Sequence, residues 1–170
     1  MCRFASFVLT KDRELWFDHS DSHTDIIEQF DLVEMGARGP NILRVEIFPG
    51  PMLKKFSDLA GWIYRVDQDL LPEWHDPTES ERRTRQALAR RFKAGFVKVD
   101  ARRCTALTSL DAPKASTVYA SGCTALTSLD APNASYVYAS GCTALTELKA
   151  DAADYVDASG CTALRRDPSK

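Results

Sequence analysis

No apolar run in this sequence reaches the roughly 18 residues that a membrane-spanning helix needs before a charge interrupts it. The opening Met1-Cys2-Arg3-Phe4-Ala5-Ser6-Phe7-Val8-Leu9 is too short an apolar stretch for a secretory leader with its cleavage site, so a cytoplasmic location and no membrane partner are expected. There is no C-x-x-C pair, which argues against a structural zinc site. A glycine-rich phosphate loop and a nucleophile elbow are missing too, and these absences lower the expectation of an enzyme. Charge of one sign is also missing: 22 Lys and Arg stand against 24 Asp and Glu, so the chain lacks the basic excess of a nucleic-acid binder. No catalytic residue, metal or cofactor is assigned from these features.

What the chain does have is a phrase repeated four times with a period of 19 residues, aligned on Cys104, Cys123, Cys142 and Cys161. Eight, five and three residues before each cysteine stand Phe96, Val99, Ala101, then Ala115, Val118, Ala120, then Ala134, Val137, Ala139, then Ala153, Val156, Ala158. Leu107, Leu126, Leu145 and Leu164 follow three residues after. A fixed short period marks a solenoid, in which one coil cannot bury its apolar side without a neighbour. The alternation Val-x-Ala puts two side chains on the buried face of a short strand, and successive coils then join in a parallel sheet. Each cysteine, just past its strand, acts as a small buried hydrophobe with a weak S–H donor, giving a reduced ladder and not a set of disulfides.

The pattern L-x-x-L-x-L-x-x-C-x-x-L, with Ala, Val or Phe in place of some leucines, resembles the conserved segment of leucine-rich repeats over residues 96–164. The resemblance implies a short parallel β-solenoid of leucine-rich-repeat type. At 19 residues the coil has no room for a convex helix, so two forms stay open. One has a single strand per coil; the other is a flattened solenoid with Leu110-Asp111-Ala112 on one wall and Val118-Tyr119-Ala120 on the other, Asp111 and Asp130 forming a second ladder.

The outward positions beside the buried valines collect four of the chain's five tyrosines: Tyr119 and Tyr138 in one column, Tyr136 and Tyr155 in the next. Lys98, Asp100, Arg102 and Asp157 form a charged rim, and serines border the columns. Tyrosine offers rigid contact area and a hydroxyl at little entropic cost, so this face is the candidate site for a partner protein. Aromatic ladders also stabilise a sheet that binds nothing. Chains of this kind resemble small repeat proteins of bacteria and their phages, and a regulator or inhibitor that covers another protein's surface would suit such a face.

Residues 1–95 carry no repeat and are expected to form an α+β unit. Stretches 3–10 and 14–17 suggest a hairpin, and Ser22 with Asp25 a capping box opening a helix to about Leu32. Residues 41–48 alternate, with Leu43, Val45 and Ile47 inward and Arg44 and Glu46 outward; Pro49-Gly50-Pro51 stops the strand. Residues 62–66 read as a strand, and Thr78 to Glu81 as a second capping box opening a helix over about 79–93 that stops at Gly95 and caps the repeats. Beyond Leu164 a polar tail, 165–170, carries no capping element. The last coil, made polar by Asp151, Asp154 and Asp157, tolerates water or pairs with a second copy in a homodimer.

Two other sites compete. Asp18 to His23 gathers His19, Asp21 and His23, with His75 within reach, as candidates for a metal-dependent enzyme. Ser22 and Asp25 are already explained by the helix cap. Arg82, Arg83, Arg85, Arg90, Arg91 and Lys93 offer a basic helix to nucleic acid, partly offset by Glu79 and Glu81. Asp67-Gln68-Asp69 is too short for a calcium loop and reads as a turn.

Overall fold

The computed structural model describes residues 5–164. Cys2, the first residues of the strand expected from Arg3, and the tail 165–170 lie outside them. Two compact units are distinguished, one from Trp62–Ala94 and the residues up to Phe48, the other from Pro49–Gly61 and the residues from Gly95 onward.

The first unit is α+β. Strands β1 (Ser6–Leu9), β2 (Glu14–Leu15), β5 (Leu43–Pro49) and β6 (Trp62–Val66) form one sheet in the order β2-β1-β5-β6; between β2 and β5 come helix α1 (His23–Gln29) and a small hairpin of β3 (Met35–Gly36) and β4 (Gly39–Pro40). The expected hairpin is present, with Val8 opposite Leu15 and the Thr10 N–H donating to the Arg13 carbonyl at 2.9 Å. Val8, Leu15, Ile26, Ile27 and Ile42 make a core between α1 and the sheet.

Three details correct the sequence-based expectations. Helix α1 is shorter than expected, because Asp31 turns left-handed at φ 49° while the Asp31 and Leu32 N–H groups close onto the Glu28 and Ile27 carbonyls. Helix α2 (Pro77–Ala94) begins earlier than the Thr78 box implies. Its cap is Asp76, whose carboxylate accepts the Glu79 N–H at 2.7 Å, with Pro77 at the first helical position where its missing N–H does no harm. Glu46, expected to face water, is fully buried and accepts a hydrogen bond from Arg65 at 2.7 Å.

The second unit is a parallel β-solenoid with two strands per coil. Strands β7 (Lys98–Asp100), β9 (Thr117–Tyr119), β11 (Tyr136–Tyr138) and β13 (Tyr155–Asp157) form one wall. Strands β8 (Ser109–Asp111), β10 (Ser128–Asp130) and β12 (Glu147–Lys149) form the other. The flattened form is therefore the correct one, and Asp111 lies in register with Asp130 and Lys149. The described residues make about three turns against the four coils counted in the sequence, with four strands on the first wall and three on the second.

Equivalent side chains stack inside. Val99, Val118 and Val137, Ala101, Ala120 and Ala139, and Leu107, Leu126 and Leu145 are all buried. Alanine lets the backbones approach, and Ala101, Ala120 and Ala139 each donate an N–H to the next coil at 2.7 Å. The residue before each cysteine is left-handed: Gly122, Gly141 and Gly160 at φ 79°, 74° and 74°, and Arg103 at φ 62° in the first coil. Outside, Thr127 and Thr146 each donate a hydroxyl to the carbonyl of the threonine one coil back. The outer edge of β8 is closed by the loop within Pro49–Gly61: the Pro51 and Lys54 carbonyls accept the Ala106 and Thr108 N–H groups, and Lys55 bridges Ser109.

Burial by stacking makes cost depend on position along the solenoid. Leu126→Ala, inside the stack, is expected to lower unfolding stability in urea by about 2–5 kcal/mol. Leu164→Ala, the same repeat position at the half-buried end, should cost less than half of that; equal losses would contradict the stacking account.

Candidate functional site

The first wall presents its tyrosines in two registered columns. Lys98, Thr117, Tyr136 and Tyr155 form one; Asp100, Tyr119, Tyr138 and Asp157 form the other. The Tyr119 and Tyr138 rings lie parallel, centroids 4.9 Å apart and planes 6° from parallel. Asp157 takes the next place in that column, and the Tyr138 ring instead meets Tyr155 diagonally, at 5.6 Å and a tilt of 46°. At the other end the Lys98 ammonium and the Arg102 guanidinium both sit 5.4 Å from the Tyr119 centroid, within cation–π range. The result is one row running from two cations through three rings. Tyr136 and Tyr155 are the most open, 47% and 49% exposed.

The rim is internally ordered. Arg102 grips Asp100 through Nε at 2.8 Å and through Nη2, and that pairing raises the already high guanidinium pKa. Hydrogen bonds from the Ser159 hydroxyl and then its backbone N–H hold the Asp157 carboxyl below its ordinary value, so it is ionised at neutral pH. Beside the tyrosines, Ser140 donates to Ser121 Oγ at 3.0 Å. What this wall offers is ring edges, hydroxyls, and charge of opposite sign at its two ends.

Behind it runs the cysteine ladder. Cys123, Cys142 and Cys161 each donate a thiol to the carbonyl of Ala101, Ala120 and Ala139 one coil back, at 2.9, 3.1 and 3.1 Å. All four repeat cysteines are free, and three are buried. Burial and the nearby Asp100 push the Cys104 thiol up to about 11. The contact with Cys142, then burial, pushes Cys123 up further. The same contact lowers Cys142 to about 7, yet Cys142 is fully buried, and the ladder serves as packing.

The remaining sequence candidates are taken up by structure. His23 is buried, its Nε2 3.0 Å from the Val45 carbonyl and its Nδ1 3.4 Å from Asp67; Asp21 pairs with the buried Arg91 at 3.1 Å. His75 Nδ1 meets Ser80 Oγ at 3.0 Å, and the His19 ring meets Phe17 edge-on. Among the described residues no group of three or more His, Cys, Asp or Glu converges on a point where a metal ion would fit. On α2, Arg82 pairs with Glu79, Arg85 with Glu81, and both Arg83 and Arg90 with Glu14. Arg83 also donates to the Thr10, Lys11 and Arg13 carbonyls, holding the β1–β2 turn. Burial would raise the Glu14 carboxyl, but its hydrogen bonds from the two arginines outweigh that and lower it. Gln68 ties Arg44, Ile42 and Leu70 together, so the 67–69 cluster is a structural turn.

The thiol ladder has a pH consequence. The unfolded Cys104 thiol ionises near its ordinary 9.0 while the folded one holds its proton to about 11, so its contribution is fully present below pH 9 and is lost as pH rises toward 11. The wild type should lose stability across that window more steeply than Cys104→Ala, as read by urea midpoints at stepped pH. Parallel slopes would show that this thiol is not linked to folding.

Among the described residues no helix is long and apolar enough to cross a membrane. Comparisons with protein-family models, with curated proteins and with solved structures return no match for this chain.

Proposed function

We propose that the chain is a protein-interaction module that binds a partner protein through the tyrosine wall of its solenoid. The observation that carries this is the row of Lys98 and Arg102, Tyr119, Tyr138 and Tyr155, laid on one parallel sheet, with Tyr155 and the adjacent Tyr136 about half exposed. Aromatic side chains held rigid by their neighbours lose little entropy on binding, which is what makes tyrosine and arginine frequent anchors at interfaces. Tyr136 widens the row to a patch. Lys98 at one end and Asp157 at the other give the patch a direction, so a partner carries an acidic group toward the first coil and a basic one toward the last. The solenoid is read as a short variant of the leucine-rich-repeat type, supported by its L-x-x-L-x-L-x-x-C-x-x-L spacing. A cytoplasmic regulator or inhibitor of bacterial or phage origin suits such a face.

A nucleic-acid role for the basic helix is less well supported, because Arg82, Arg83, Arg85, Arg90 and Arg91 each have a carboxylate partner. An enzyme using the histidine cluster is less well supported because His19, His23 and His75 have separate structural contacts.

The test is affinity capture from the source cell with wild type beside a Tyr119→Ala, Tyr138→Ala double variant, both first shown to fold by circular dichroism. Loss of the captured partner, with affinity falling by about tenfold to a thousandfold for two anchor residues, supports the proposal. A partner retained equally by both proteins refutes it.

A further inference from the structure

The last strand of the tyrosine wall differs from the others in a way that follows from its hydrogen bonds. The Tyr155 N–H donates back to the Ser135 carbonyl at 3.1 Å, and the Asp157 carbonyl accepts from the Ala139 N–H at 2.7 Å. In a strand the backbone groups of alternate residues point to opposite edges, so the N–H and C=O of Val156 both point away from the rest of the sheet. Strand β13 ends the sheet order β13-β11-β9-β7, and among the described residues no strand pairs with its outer edge. The side chain tells the same story: Val156 is 40% exposed, whereas Val118 and Val137, its equivalents, are fully buried. Around it lies a depression of about 440 Å³ lined in part by Val156, Ala158, Cys161 and Leu164, the residue types that are sealed inside earlier coils, and in part by the polar Asp157, Ser159 and Thr162. Among the described residues the solenoid thus presents its interior in cross-section beside an open strand edge, which natural sheets protect.

We propose that a second copy of this chain covers this end, β13 pairing antiparallel with its counterpart about a two-fold axis at Val156. An isologous contact requires a self-complementary surface, and this edge is one. With Val156 opposite Val156 of the second copy, each donates its N–H to the other's C=O, forming the reciprocal hydrogen-bonded pair of an antiparallel ladder. The same register sets Tyr155 of one copy opposite Asp157 of the other, so the positive rim of an aromatic ring faces a carboxylate. Asp154 falls opposite Ala158, and no like charges meet. A register centred on Asp157 would set two carboxylates against each other, which is disfavoured. Because opposite residues in such a pair point to the same side, the buried faces of the two walls become continuous and the half-exposed valines cover each other. The two tyrosine rows then form one surface crossing the axis. This inference does not depend on the tyrosine wall binding a partner.

The experiment is sedimentation equilibrium of the 18.9 kDa chain at loadings from about 1 to 100 μM. The wild type should show a monomer–dimer equilibrium. Val156→Pro removes an N–H that points outward together with the half-exposed valine side chain, so its fold should persist by circular dichroism while dimerisation weakens about tenfold to a hundredfold. A second variant keeps the proposal testable should that one misfold. In a Cys2→Ser, Cys161→Ala background, Tyr155→Cys combined with Asp157→Cys should form an intermolecular disulfide on oxidation. Cross-strand pairs of this kind stand about 4.5 Å apart, within disulfide range, while neither single variant can reach its own copy. A wild type that stays monomeric throughout overturns the proposal, including one whose Val156 amide is protected from hydrogen exchange, since its own chain would then cover the edge. So does a dimer that forms no cross-link in the double-cysteine variant.

Discussion

Everything in the repeat unit follows from one requirement: each coil must lie about 4.8 Å from the next, with its backbone donors aimed at its neighbour's carbonyls. At that distance side chains at equivalent positions are forced into contact with copies of themselves. Inside, valine stacks on valine and leucine on leucine, and alanine is used where backbones must come closest, as at Ala101, Ala120 and Ala139. The cysteines form an inner ladder of thiols on carbonyls, and outside the same repeat turns tyrosine into a stack and threonine into a hydrogen-bonded rail. The tyrosine face and the core are two sides of one geometric rule.

That rule also explains where the unit departs from uniformity. A solenoid has two ends at which the neighbour is missing. At the first, the loop within Pro49–Gly61 supplies carbonyls from Pro51 and Lys54 to the second wall, and Phe56 packs edge-on against Phe96. In the last described coil the equivalent positions open: Cys161 and Leu164 are half-buried where Cys142 and Leu145 are sealed. Substitutions there run toward polarity, with Asp157 where earlier coils have Tyr138 and Tyr119. That one replacement breaks the in-column stack and leaves Tyr155 to meet Tyr138 across the columns.

The architecture was legible in the sequence because period and alternation are local and repeated. Which valines and alanines face inward, that the cysteines line the interior and that the tyrosines share one wall could all be read from spacing. The choice between one and two strands per coil could not, since both forms bury the same residues and differ only in how Leu110 and Leu129 pair outside their own coil. Nor could the edge loop at 51–55: Pro51-Met52-Leu53-Lys54-Lys55 looks like any connection, and what defines it is backbone hydrogen bonding to residues about 55 positions away. The threonine rails were available in principle, as Thr stands one and four places after Cys104, Cys123 and Cys142. In the α+β unit, Glu46 and Arg91 escaped the polarity rule because each is buried with a partner distant in sequence, Arg65 and Asp21.

Stacking determines what the tyrosine wall can recognise. Rings held parallel at 4.9 Å use their faces on each other, and Lys98 and Arg102 occupy the remaining face of Tyr119. Flat ligands that insert between ring planes, such as nucleobases, would have to break this order to gain a similar contact. Ring edges and hydroxyls remain, and these suit a surface that brings carbonyls, carboxylates and apolar side chains together, as folded proteins do. Rigidity has a second effect. Each ring fixes the next, so removing Tyr138 from the middle of the row also frees Tyr119 and Tyr155, and its loss should exceed that of either end ring even where a partner touches all three equally.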